Sequence, residues 1–178
     1  MTSRRNPQAR HRAIVEAAAA LITEAGVADL THRRVAARAG VPLGATTYYF
    51  ASLDELSAEA LALLGDELDA ELQALADQVV ARGFTPAVLA DVLHAYLSDR
   101  EQVCKDAALY FAGATNAQLR EHSLRWFDGL VTALTGYVDP RTARALAVFV
   151  DGAFVHAMLH DAPLARDELE AAITGLLA

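Results

Sequence analysis

Between Arg34 and Leu56 the chain reads RVAARAGVPLGATTYYFASLDEL, and few folds accommodate its middle. A helical pattern runs to Ala39 and breaks at Gly40, where a tight turn needs a permissive backbone. Pro42 presets the first turn of a new helix, expected over about Leu43 to Tyr49. Ser52-Leu-Asp-Glu55 matches a capping box, so another helix starts within two residues of Phe50.

Upstream, a helix is expected from about Ala9 to Ala25, with Ile14, Ala18, Leu21, Ile22 and Ala25 on its apolar face. Gly26 stops it, and Thr31 is a suitable N-cap for the next. Three short helices with a sharp second turn form a helix-turn-helix arrangement. Downstream, the stripe Leu56, Ala60, Leu63, Leu64, Leu68, Leu72, Leu75, Val79 marks one long helix ending at Gly83. Further helices are expected over about Pro86 to Ser98, Glu101 to Thr115, Ala117 to Tyr137, Pro140 to His160 and Leu164 to Leu177. No strand pattern appears. The expected fold is all-α with about nine helices: a helix-turn-helix head over residues 1–51 with a basic arm, and a helical body over 52–178.

Charge separates the two parts. Residues 1–50 carry seven arginines against Glu16, Glu24 and Asp29, a net +4, whereas residues 51–178 carry eight basic and twenty acidic residues, a net −12. A basic head on an acidic body is the asymmetry of a module that meets an anion. The single Cys104 cannot form an intrachain disulfide, and neither a signal peptide nor a membrane span is expected, so a cytoplasmic setting is the natural reading. No HExxH, nucleophile elbow, phosphate loop or CxxC is present, so no enzyme and no cofactor is expected. His156 and His160 stand i, i+4, which is weak evidence for a metal.

The pieces AIVEAAAALITEAG, Leu30-Thr31, Arg34-Val-Ala-Ala-Arg-Ala-Gly-Val41, Tyr48-Tyr-Phe50 and Ser52-x-Asp-Glu-Leu56 stand in an order and spacing that resembles the DNA-binding domain of TetR-family transcriptional regulators. The resemblance covers about residues 9 to 56. It implies a homodimeric repressor on a palindromic double-stranded operator, released by a small effector that binds the body. It also implies phosphate contacts from Thr31 and Tyr48, a base-edge contact from Arg33, and a recognition helix carrying Leu43, Gly44, Ala45, Thr46 and Thr47. Arg34 and Tyr49 complete the expected face, with one of the two tyrosines packing partly inward. Val41 is expected to plug the turn and Phe50 to anchor the far end.

Two positions depart from the family pattern: Thr47 replaces a frequent aromatic, and Leu53 replaces a common phosphate-binding lysine. The recognition helix lacks Arg, Lys, Asn and Gln, the usual bidentate base readers. Specificity is therefore expected from threonine hydroxyls, contacts with thymine methyls, Arg33, and DNA shape read by Arg4 or Arg5.

In the body, Tyr96, Cys104, Tyr110, Phe111, Trp126 and Phe127 cluster in the middle helices, which by resemblance enclose a largely apolar effector. Leu63 and His94 join them as candidates, and His94, Asn116 and Asp151 are polar groups able to orient a ligand. Ordinary core packing is the competing reading for each aromatic. The resemblance also implies a dimer interface on the last two helices, with Ala145, Val148, Phe149, Gly152, Val155 and His156 as its candidates and single-chain core as the competing reading. A helical small-molecule binding protein with weak or lost DNA binding is the alternative reading of the whole chain.

Overall fold

The computed structural model describes residues 6–115, 117–160 and 162–178. Among these residues it contains nine α-helices, one 3-10 turn and no strand: α1 (Pro7–Ala25), the 3-10 turn (Val27–Asp29), α2 (His32–Ala39), α3 (Leu43–Tyr49), α4 (Leu53–Arg82), α5 (Pro86–Ser98), α6 (Arg100–Thr115), α7 (Ala117–Leu134), α8 (Pro140–His160) and α9 (Arg166–Leu177). The chain divides into two compact units, residues 1–67 and 68–178. α4 runs through both, and its first fifteen residues belong to the head.

Local signals set most ends. α1 starts at Pro7, two residues before the expected Ala9, with Asn6 as its cap, the side chain accepting from the Gln8 N–H at 3.1 Å. The Thr31 hydroxyl accepts from Arg34 N–H at 3.2 Å, and the Thr85 hydroxyl caps α5 in the same way. At Ser52 the hydroxyl accepts from Glu55 N–H (3.1 Å), while the Glu55 carboxylate reaches back to Ala51 N–H (2.8 Å). α7 ends at Leu134 rather than Tyr137, where the chain turns and the Tyr137 N–H bonds the Leu134 carbonyl at 2.9 Å. α9 begins at Arg166 rather than Leu164, with Ala165 N–H bonded to Glu168.

In the first unit, α1 packs on α2 and α2 on α3. Ile14, Ala18, Ile22, Val35, Phe50, Leu56 and Ala60 form its buried centre, while Ala25, expected on the apolar face of α1, is exposed. In the second unit, α5 packs on α9, α6 on α7, and α7 on α8. Its core joins Ala90, Leu97, Val103, Leu146, Phe154, Leu169 and Ile173.

Candidate DNA-reading face and effector cavity

The break at Gly40 is a left-handed turn. Gly40 adopts φ 64°, its N–H bonds the Ala37 carbonyl, and Val41 N–H bonds Ala36 at 3.0 Å. A side chain at this φ is strained, so glycine is the residue that lets α2 stop and α3 change direction. Val41 is half-buried beside the turn. At the other end of α3, Phe50 is 1% exposed and its N–H caps the Thr46 carbonyl. His11 stacks on Phe50 (centroids 4.9 Å apart), meets Tyr49 edge-on, and lies 3.4 Å from Glu59 of α4. The short helix is thus held at both ends by its neighbours.

Its outward face carries Leu43, Gly44, Thr47 and Tyr48, all exposed, with Ala45 and Tyr49 half-buried. Tyr48 is the most projecting, at 82% exposure. Thr46 does not belong to this face. It is fully buried, and its hydroxyl donates to the Leu43 carbonyl at 2.8 Å, so it cannot read a base. Of the arginines, Arg34 donates to the Asp29 carbonyl and Arg38 forks onto Glu24, holding that carboxyl below its usual range. Arg33 is exposed and holds no ion pair among the described residues. Thr31 is exposed; its oxygen is spent on the cap, but its O–H remains a donor. Leu53 is half-buried in the first turn of α4. Arg4 and Arg5 lie outside the described residues.

The second unit holds a cavity of about 330 Å³ between α4, α5, α7, α8 and α9. Its walls are apolar: Leu72, Phe84, Leu93, Tyr96, Trp126, Leu130, Tyr137 and Phe149 are among them. Gly129 permits part of this wall, because a Cβ there would fall 2.5 Å from the Leu72 side chain. A smaller recess of about 20 Å³ shares Tyr96 and Trp126 and adds Leu68, Asp106, Tyr110, Asp151 and Phe154. Tyr96 stacks with Trp126 (5.6 Å) and Phe154 (6.5 Å), and Tyr110 meets Phe154 edge-on.

The recess is acidic as well as aromatic. Tyr96 O–H donates to Asp106 at 2.8 Å and Tyr110 O–H to Asp151 at 2.9 Å. Gln102 bridges Glu71 of α4 (2.7 Å) to Asp106 of α6 (3.0 Å). Burial, then the Asp106 charge, pushes the Glu71 carboxyl up to about 7, and burial raises Asp106 and Asp151 too. Burial, then the bond to Asp151, carries the Tyr110 hydroxyl up to about 12.

Of the residues expected at the cavity, Tyr96, Tyr110 and Trp126 line it or its recess. Leu63 belongs to the head unit and lines neither. His94 is half-buried one turn from Ser98, whose hydroxyl bonds its carbonyl, and it lines neither the cavity nor the recess. Cys104 and Phe111 are exposed, and Phe127 lies under the Arg144 guanidinium; none lines the cavity. Asn116 lies outside the described residues. Leu72, Phe84, Leu130 and Tyr137 were not expected there.

Along α8, Ala145, Val148, Gly152, Val155, His156 and Leu159 fall on one side, with Val148 58% and Leu159 68% exposed. Phe149 is a correction: it lines the cavity instead of this outer face, being one residue and so about 100° round the helix from Val148. By length and composition α8 is apolar enough to cross a membrane. Its buried Ala143, Leu146, Ala147, Phe154 and Ala157 instead serve the unit's core. His156 and His160 stack at 4.2 Å, and among the described residues no group of three or more His, Cys, Asp or Glu is placed to hold a metal.

Residues 14–60 match the family model for bacterial regulatory proteins of the tetR family, and residues 82–178 that for the tetracyclin repressor-like C-terminal domain. A TetR-family member from Streptomyces coelicolor A3 is 35% identical, with 94% of this chain and 97% of that one aligned at a TM-score of 0.73. The multidrug binding protein EbrR in complex with malachite green is 33% identical over 94% of this chain and 97% of its own, with a TM-score of 0.75. Its ethidium complex matches at 34% identity over the same shares, with a TM-score of 0.72. Among curated proteins, the HTH-type transcriptional regulator PksA of Bacillus subtilis is 25% identical over 92% of this chain and 86% of its own.

Proposed function

The chain belongs to the TetR family of transcriptional regulators, and from that premise we propose that it is a homodimeric repressor that leaves a palindromic operator when a planar aromatic cation enters its C-terminal cavity. The observation that carries the reading is the pairing, within one chain, of a projecting helix-turn-helix and a separate aromatic cavity with an acidic end. On the head, Tyr48 and Thr31 contact phosphates, and Arg33 reaches a base edge. Leu43, Gly44, Ala45 and Thr47 meet the major-groove floor, where small and apolar groups favour thymine methyls. Arg34, held on Asp29, and Tyr49, half-packed on His11, support that surface from the side.

In the body, rings and carboxylates together suit a cation. The faces of Tyr96 and Trp126 attract positive charge, and Asp106 and Asp151 supply the counter-charge. The 33–34% identical EbrR, described in complex with malachite green and with ethidium, points to the same effector class. The outer face of α8 supplies the dimer contact, and a two-fold axis through Gly152 gives this exposed mid-helix glycine a reason. α4, which begins in the head and ends beside the cavity, is the covalent route for the signal.

Leu53 favours a second reading, a ligand-binding protein that no longer holds DNA, because it presents no hydrogen-bond donor where a phosphate partner is expected. A mobility-shift titration against the DNA upstream of the gene separates the two. The repressor reading expects salt-sensitive, sequence-preferring binding by the protein without effector. Absence of such binding, with malachite green still raising the melting temperature, establishes the second reading.

A further inference from the structure

We propose that the effector's positive charge enters the recess in exchange for a proton shared by Glu71 and Asp106, so that this sensor detects cations by proton displacement. The inference rests on the reading of the cavity as an effector site for aromatic cations.

Two carboxyl groups from different helices converge on one amide. Gln102 Nε2 stands 2.7 Å from Glu71 Oε2 and 3.0 Å from each Asp106 oxygen. The Asp106 charge also acts on Glu71 and strengthens its hold on a proton. Two carboxylates held on one amide nitrogen repel each other, so one of them keeps its proton to a higher pH. On the far side, Tyr96 O–H already donates to Asp106 at 2.8 Å, which favours charge on Asp106 and leaves the proton on Glu71. Other charged groups act around the pair. Lys105 acts on both carboxyls through space, Asp151 lies across the recess on Tyr110, and Arg125 is paired with Asp69 on α4. Burial and the neighbouring Asp106 carry Glu71 to about 7, so the pair holds its proton through the lower half of the physiological range.

Asp106 is the member of the pair that lines the recess. A planar cation lying on Tyr96 and Trp126 brings its charge to Asp106. That charge replaces the proton: the Glu71 O–H bond breaks, the proton passes to solvent, and the two carboxylates share the cation. A neutral ligand has no means of displacing the proton. The sign follows. Below about 7 the proton competes with the cation and affinity falls; above it the carboxylates are already bare and affinity levels off.

Isothermal titration of the full-length protein with ethidium, a fixed cation over this range, tests the exchange. Affinity is expected to be about tenfold higher at pH 8 than at pH 6, the ratio given by one carboxyl near 7. In two buffers of different ionisation enthalpy at pH 6, the heats should differ by about one released proton per ethidium. Glu71→Gln should flatten the pH profile while binding persists. Ethidium binding that is equal at pH 6 and 8, with no proton released, overturns the exchange and leaves the effector reading standing. No ethidium binding at any pH overturns the effector class and the exchange together.

Discussion

Replacing Gly152 with alanine sets two effects of known size against each other. Within one chain the change is favourable. Gly152 is exposed in the middle of α8, and a Cβ built there meets nothing within 4 Å. Alanine in a helix interior is better than glycine by roughly 1 kcal/mol, so an isolated chain should become more stable. At a two-fold interface the sign reverses. Val148 and Leu159 flank Gly152 on the exposed face, and a symmetric contact through it meets the added methyl twice. Overpacking costs about 1–3 kcal/mol per site, and roughly 1.4 kcal/mol already weakens association tenfold. Gly152→Ala should therefore raise the dimer dissociation constant at least tenfold in sedimentation equilibrium, while thermal melting of the dissociated chain moves up. A dimer of unchanged affinity with a higher melting temperature would refute the close approach at Gly152.

Two further substitutions examine the head. Tyr48→Phe removes one exposed hydroxyl and should weaken binding by about 1 kcal/mol on every DNA sequence alike, measured by fluorescence anisotropy on operator and unrelated DNA; a changed sequence preference at unchanged affinity would show that Tyr48 reads bases. Thr46→Val keeps the shape but leaves the Leu43 carbonyl without its hydroxyl partner, so the melting temperature should fall by an amount equivalent to about 1 kcal/mol while preference among operator variants stays the same. Altered preference would place Thr46 at the DNA after all.

The two threonines of α3 show how far a sequence reveals such a surface. The limits of the helix were legible because Gly40, Pro42 and the Ser52 cap punctuate the chain, and Phe50 was recognisable as its anchor. Which threonine faces inward was not. Thr46 is fully buried and satisfies its hydroxyl on its own helix, so a polar residue behaves as core. The cavity was legible in part. Tyr96, Tyr110 and Trp126 are conspicuous as aromatics, but Leu72 and Leu130 belong to apolar stripes that look alike whether they close on a neighbour or leave a gap. Gly129 carries no signal in the sequence either, since its value lies in the approach of Leu72 from a distant helix. Val148 and Phe149 look equivalent in sequence, and only the orientation of α8 sends one outward and the other to the cavity. The partnership of Glu71 with Asp106 joins residues 35 positions apart, and no spacing rule announces it.

The central claim is that DNA held by the head is released by a cation bound in the body. Fluorescence anisotropy of a labelled fragment from upstream of the gene, saturated with protein and titrated with malachite green, tests it most directly. A Trp126→Ala protein run in parallel reports any direct action of the dye on DNA. The account predicts that malachite green lowers the anisotropy of the wild-type complex to that of free DNA, while the variant complex stays intact at the same dye concentrations. A wild-type complex that keeps its DNA with dye bound to the protein, or an equal release from the variant, would contradict it.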